Sequence, residues 1–301
     1  MKLSSICSEV AMNTGIFELV RNMADISKDN ISHNSSDYRN ENGLLICGKC
    51  HTAKQIRISN GLGVIEPYVD CECEKLRKKH EDELRAEHER REYIHKLRRK
   101  CFPPDSFRKM SMKTFANNDG QGLAYQFKVA RNYAEHFPEM YEKGIGFTFF
   151  GSVGVGKSYL AACIANSVID LGYSALMTDF PTIINRIQSR FEGREEYIAE
   201  LMSYSLLIID DLGVERCTEF ANEIVNNVVE HRCKCGKPLI VTTNLTPDHF
   251  LKSQVLHERR LYSRLFECSL PINCIGDDRR MEKFKDNFTE LADILGLEMS
   301  K

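Results

Sequence analysis

The sequence predicts an α/β fold: a parallel five-stranded sheet flanked by helices, preceded by a small cysteine-bearing domain and a long charged helix. Three observations carry this. Short apolar runs at Phe147–Phe150, Ser174–Thr178, Leu206–Ile209, Pro238–Asn244 and Leu270–Ile272 alternate with stretches of helical spacing, the pattern of parallel strands joined by crossover helices. The glycine-rich stretch from Gly151 to Ser158 joins the first run to a helical pattern. Ahead of all this, Cys47, Cys50, Cys71 and Cys73 precede a charged segment free of Pro and Gly.

Composition sets the outer limits. A chain of 301 residues accommodates about two domains, and 42% hydrophobic residues suffice for at least one full core. No stretch approaches about 20 uninterrupted apolar residues, and Met1 to Ile31 lacks a basic start followed by an apolar run. Neither a membrane span nor export is therefore expected, and the cytoplasm is the expected compartment. Without an export signal, the twelve cysteines read as reduced thiols, some of them metal ligands. A net charge of -2 gives no overall attraction to nucleic acid, so affinity for DNA has to be local.

Residues 1–43 read as an N-terminal helix and a flexible linker. Ile6 to Met23 is weakly amphipathic and packs either on its own domain or on a partner, while Ser27 to Asn42 is rich in Ser, Asn and Asp. Residues 44–73 have the spacing of a zinc ribbon. Cys47-Gly48-Lys49-Cys50 lets two thiolates approach one ion, and a hairpin turning at Asn60-Gly61-Leu62-Gly63 returns Cys71-Glu72-Cys73 beside them. Four thiolates close a tetrahedral Zn²⁺ site, which argues for a structural ion; His51 is an alternative ligand.

Residues 74–104 form a charged helical linker. From Glu74 to Lys100, 11 Lys and Arg exceed 7 Asp and Glu, with basic clusters at Arg77-Lys78-Lys79 and Arg98-Arg99-Lys100. The segment is either a solvated connector or one that also touches a partner or DNA backbone. Pro103-Pro104 ends it. Residues 105–301 make the remaining domain, where Gly122 to Tyr141 has helical spacing before the first strand.

Gly151-Ser152-Val153-Gly154-Val155-Gly156-Lys157-Ser158 spells a complete phosphate loop. Its glycines permit positive φ, its amides turn inward, and the helix that follows points its positive end at the same anion. Lys157 is placed to reach the β- and γ-phosphates of ATP, and the Ser158 hydroxyl to coordinate Mg²⁺. The run Leu206–Ile209 ends in Asp210 and Asp211 at the edge where parallel sheets bind ligands. Asp210 is the expected Mg²⁺ partner, and Asp211 the group that orients or deprotonates water. Asn244, closing the next run, bonds the water or the γ-phosphate.

Helices are expected over Pro181–Phe191 and Thr218–His231. Cys233 and Cys235 lie in the turn before a strand and are incidental to metal binding. Arg260 and Arg264 are four apart on one helical face, and Gly276-Asp277-Asp278-Arg279-Arg280 opens a final helix to Leu297. These arginines either supply charge to a γ-phosphate from outside the loop or make surface ion pairs.

Residues 145–280 resemble the P-loop ATPase core of the AAA+ superfamily, in its DnaC/IstB-like branch of bacterial and phage helicase loaders. Leu206–Gly213 has the form of that branch's Walker B segment, Lys237–Leu245 of its sensor-1 strand, and Arg259–Leu265 of its arginine-finger box. The cysteine-bearing front is similar to that of DnaI-type loaders, in which such a domain grips the helicase. The resemblance spans residues 44–290. It implies Lys157, Ser158 and Asp210 for ATP and magnesium, Asn244 as sensor 1, Arg264 or else Arg260 as the finger entering a neighbouring subunit, and Arg280 or Arg279 as sensor 2.

Asp211 stands where most of the superfamily has Glu, which implies slow turnover suited to a switch. The implied function is ATP-dependent loading of a DnaB-type replicative helicase onto single-stranded DNA by a nucleotide-dependent homo-oligomer. An IstB-like transposition helper and a nucleotide-binding adaptor without useful hydrolysis are the alternatives.

Overall fold

A computed structural model describes residues 35–60, 63–102, 105–114, 123–189, 193–213, 218–252, 254–281, 284 and 288. The expected helix over Ile6–Met23, the Gly61-Leu62 turn, Pro103-Pro104 and most of the final helix lie outside the described residues. The chain divides into two units, Met1–Arg90 and Arg91–Lys301. No helix among the described residues is long and apolar enough to cross a membrane.

In the first unit, β1 (Tyr38–Arg39) pairs antiparallel with β2 (Leu45–Ile46). A second antiparallel pair, β3 (Ile58–Asn60) and β4 (Gly63–Ile65), sets Asn60 opposite Gly63, the register expected of the hairpin. Ordered pairing starts earlier than a linker over Ser27 to Asn42 implies. Asp37 supplies the reason: its carboxylate accepts from the Gly48 amide at 3.0 Å and from Lys54 Nζ at 2.6 Å, tying this segment to the cysteine turn.

The charged segment forms α1 (Glu72–Cys101), a 30-residue helix with acids in its first turn and Arg98, Arg99 and Lys100 in its last, the polarity that its dipole favours. Along it, Arg77 bridges Glu74 and Glu81. Within the second unit its last turns become partly apolar. Ile94 and Leu97 pack on the core there, while Arg98 donates to Asn166 at 2.9 Å and pairs with Asp170. The helix stops at Cys101, before Pro103.

The second unit is built on β5 (Gly146–Phe150), β6 (Ala175–Asp179), β7 (Leu206–Leu212), β8 (Leu239–Thr243) and β9 (Ser269–Asn273). All pairs are parallel, in the order β6-β7-β8-β5-β9. Alternate residues feed two cores: Phe147, Phe149, Leu206, Ile208 and Ile240 on one face, Phe150, Leu207, Ile209, Leu239 and Val241 on the other. Burial on both faces accounts for the unbroken apolar runs.

The helical stretch before β5 is two helices, not one: α2 (Ala124–Glu135) and α3 (Phe137–Lys143), parted at His136 because Pro138 favours the first turn of a new helix. Then come α4 (Lys157–Asp170), α5 (Phe180–Ser189), α6 (Arg194–Ser203), α7 (Glu219–Lys234), α8 (Pro247–Lys252) and α9 (Leu256–Cys268). Thr218 caps α7 by accepting from the Ala221 amide, and α7 runs far enough to include Cys233. Contrary to the expectation of reduced thiols, Cys233 is joined to Cys268 in a disulfide between α7 and α9. Packing of these helices brings together cysteines 35 residues apart, a proximity that local spacing does not reveal.

Candidate functional site

Two sites form, one in each unit. In the first, the thiols of Cys47, Cys50, Cys71 and Cys73 all lie within 4.8 Å of one another. Cys73 Sγ is 3.5 Å from those of Cys47 and Cys50 and 3.3 Å from that of Cys71. Around a tetrahedral ion with bonds of about 2.3 Å, sulfurs are about 3.8 Å apart, so the cluster fits zinc closely. At two of the four cysteines the surroundings favour thiolate. The amides of Cys50 and Lys49 lower the pKa of Cys47, and the Thr52 hydroxyl, 3.1 Å from Cys50 Sγ, leads the causes that bring Cys50 to about 5.

Burial raises Cys71, and its neighbouring thiols raise Cys73 to about 12, a cost that a shared cation would remove. His51 stands apart from the cluster, exposed, with Nδ1 3.3 Å from the Tyr38 hydroxyl. Thr52, which also accepts from the Glu72 amide at 3.0 Å, links the two cysteine pairs and had no sequence signature of its own.

In the second unit, the loop from Gly151 to Gly156 leaves β5 and enters α4 at Lys157. Gly151 and Gly154 have φ of 146° and 81°. A Cβ at the first would strike the Cys274 carbonyl, and at the second the Asp278 carboxylate. The glycines thus serve the approach of the 274–279 segment as well as the curl of the loop. Along that seam, Cys274 N donates to Phe150 O at 2.7 Å and Arg279 N to Gly154 O at 3.2 Å.

Lys157 is 5% exposed, and its ammonium donates to Gly151 O at 2.9 Å, Ser152 O at 2.7 Å and Asn244 Oδ1 at 2.7 Å. Burial lowers its pKa; the nearby Asp211 and Asp210 oppose this, and Arg280 reinforces it. Asn244 reaches Lys157 because β8 lies directly beside β5.

Asp210 sits on the far side of β8, on β7. Its carboxylate accepts from the Thr242 hydroxyl at 2.5 Å and is also bonded by Ser158. Burial pushes its pKa above the aspartate range, and these two hydroxyls oppose the shift. Ser158 and Asp210, two oxygen ligands in bonding reach, fit a small hard cation such as Mg²⁺. The strand does not end at these carboxylates as the sequence suggested: β7 continues to Leu212, held by Thr243 Oγ1 donating to Leu212 O at 2.8 Å.

The arginines separate into two groups. Arg279 meets the loop through its backbone, and the charge of Arg280 acts on Lys157. Arg260 and Arg264 are exposed on α9, where with Arg259 and Ser263 they line a groove of about 1270 Å³ facing Glu223 and Asn226 of α7. No loop residue lines this groove. Arg264 is paired with Glu267 at 2.6 Å. Thr242 was not singled out from sequence, although a polar side chain two residues before Asn244 in an apolar strand shares its face.

Residues 139–268 match the family described as IstB-like ATP binding protein. The replicative helicase loader DnaI of Bacillus subtilis is 29% identical over 150 residues, 46% of this chain and 48% of that protein. The replicative helicase loader DnaC of Escherichia coli K12 is 28% identical over 153 residues, 48% of this chain and 61% of that protein. The matched segments thus span about half to three-fifths of these relatives. A crystal structure of DnaI superposes with a TM-score of 0.47 at 27% identity, covering 59% of this chain and 94% of that one.

Proposed function

Because the chain carries an IstB/DnaC-like AAA+ domain, we propose that the protein is an ATP-dependent loader that places a ring-shaped, DnaB-type replicative helicase on single-stranded DNA. The observation that carries the reading is the convergence of Lys157, Ser158, Asp210 and Asn244 at the C-terminal edge of one parallel sheet. Relatives named as helicase loaders supply the biological direction.

Gly151 to Ser158 hold the phosphates, and Lys157 exchanges its three neutral oxygen partners for charged ones. Ser158 and Asp210 hold Mg²⁺, which neutralises phosphate charge when bound. In hydrolysis a water oxygen bonds to the γ-phosphorus, the bond to the β–γ bridging oxygen breaks, ADP leaves with the electron pair, and Asp211 takes the water proton. Asn244 orients the γ-phosphate, and Arg280 or Arg279 senses it within the chain. Arg264 or Arg260 reaches a neighbouring copy, so the working form is a nucleotide-dependent homo-oligomer in the cytoplasm. ATP favours assembly and DNA contact, and hydrolysis releases the loader. Cys47, Cys50, Cys71 and Cys73 hold one zinc in the domain that grips the helicase.

Light scattering coupled to size exclusion tests this directly, with the host's replicative helicase and either ATP or ADP. A stoichiometric complex whose size depends on nucleotide is expected; its absence under every condition would defeat the loader reading. A second reading is a transposition helper of the IstB kind, to which the match to the family described as IstB-like ATP binding protein is equally open. A complex with a transposase and none with the helicase would establish that instead.

A further inference from the structure

Asp210 and Asp211 are adjacent on one strand, and adjacent strand residues point to opposite faces of a sheet. Leu206 and Ile208 feed the core beneath α4, whereas Leu207 and Ile209 feed the other. A regular strand would therefore aim Asp210 toward the phosphate loop and Asp211 away from it. The chain departs from regularity here. Asp211 has a φ of 56°, left-handed and unusual for a residue other than glycine, and the β7–β8 register shifts between Ile209 and Leu212. Such a conformation is strained and persists only where its surroundings hold it.

One side chain does the holding. Thr242 is fully buried on β8, and its hydroxyl accepts from the Asp211 amide at 2.9 Å while donating to Asp210 Oδ1 at 2.5 Å. The donor and an acceptor site of one hydroxyl thus fix the backbone of one carboxylate residue and the side chain of the other. We propose that Thr242 is a positioning residue for both acids: it stabilises the kink that turns Asp211 out of strand alternation and holds one oxygen of Asp210, leaving the other for the cation. Thr242 touches neither nucleotide nor water in this role; it acts through Asp210 and Asp211. The inference rests on the ATP reading above and adds to it a requirement for a hydroxyl at position 242.

The test compares Thr242→Val, which keeps the shape and removes the hydroxyl, with Thr242→Ser, which keeps the hydroxyl. Binding of a fluorescent ATP analogue is titrated with Mg²⁺, and turnover and thermal unfolding are followed alongside. Loss of such a supporting hydrogen bond costs roughly 10–100-fold in metal affinity or activity elsewhere. Thr242→Val is expected to raise the Mg²⁺ midpoint and lower turnover by about 10-fold or more, with Mg²⁺-free binding preserved in a protein that stays folded at the assay temperature but unfolds at a somewhat lower one; Thr242→Ser restores the Mg²⁺ midpoint and turnover. If the Val protein is insoluble, Thr242→Ala carries the same expectation.

Unchanged Mg²⁺ midpoint and turnover in the Val protein, or a Ser protein as impaired as Val, would overturn the inference. A wild-type protein that binds no Mg²⁺·ATP would overturn the ATP reading itself. A wild-type protein that binds but does not turn over still decides the role of Thr242 through the Mg²⁺ midpoint.

Discussion

One buried charge in the second unit is held almost wholly by backbone. Arg232 is 0% exposed and makes no ion pair among the described residues; its guanidinium donates to the carbonyls of Pro238, Met202, Tyr204 and Ser205. Burial lowers its pKa to about 10, still well above neutrality. These carbonyls lie where α6 ends, β7 begins and β8 begins, so one planar fork joins three chain segments, of which β7 and β8 carry the site at their other ends. Arg232→Met removes every donor and leaves several buried acceptors unpaired, each worth about 1–3 kcal/mol. A loss of at least about 3 kcal/mol in chemical unfolding is expected, with nucleotide affinity of the folded fraction preserved. Arg232→Lys should recover little, because an ammonium cannot span four carbonyls. Sequence alone conceals this role: an arginine near a helix C-terminus reads as a dipole partner. Lys157, Asp210 and Asn244 were legible because their chemistry sits at fixed positions relative to strand ends. Thr242 was not, because threonine is ordinary in a strand and only the register shift gives its hydroxyl two partners.

At the scale of elements, legibility follows how local the causes are. Four of the five strands, β5 to β8, are apolar runs that feed both cores, and α1 is a continuous charged segment, so these were readable; β9, exposed at Leu270 and Pro271, was marked only by its short apolar run. The break at His136, the extension of β7 to Leu212 and the Cys233–Cys268 join depend on neighbours distant in sequence or on one proline, and were missed. The cysteine unit tests a further local dependence. Its strands are only two or three residues long, and among the described residues its buried apolar side chains are few: Leu45, Ile46 and Ile65 beside the cysteines. On the proposal that the four thiols hold an ion, metal binding would add to the stability of so small a core. One zinc per chain is expected in elemental analysis of purified protein. Its removal by a chelator should expose residues 35–71 to limited proteolysis while α4 and the sheet stay protected. Cys73→Ser should behave like chelation because Cys73 lies within 3.5 Å of all three other thiols. Full protection of that segment in zinc-free protein would mean that the four thiols pack without an ion.

For the whole molecule, the informative fact is that each site is completed within its own unit. Cys47, Cys50, Cys71 and Cys73 precede Arg90, whereas the phosphate loop, Asp210, Thr242 and Asn244 all follow it. No hydrogen bond described at either site draws on a residue of the other unit. Perturbing one is therefore expected to leave the intrinsic chemistry of the other intact. Lys157→Ala and Cys50→Ser separate the two contributions. Lys157→Ala should weaken ATP binding at least 10-fold, on the order of a lost charged contact, and abolish nucleotide-dependent changes in complex size while retaining zinc. Cys50→Ser should lose zinc and helicase capture, yet bind Mg²⁺·ATP with wild-type affinity. Isothermal titration with ATP, zinc analysis and light scattering with the helicase give the three readouts on each variant. If Cys50→Ser weakened ATP binding with no helicase present, the units would be coupled within the chain, and the switch would not need the helicase to connect nucleotide to grip. If both variants behaved as expected, the helicase itself would be the element through which the ATP state of one unit and the hold of the other are linked.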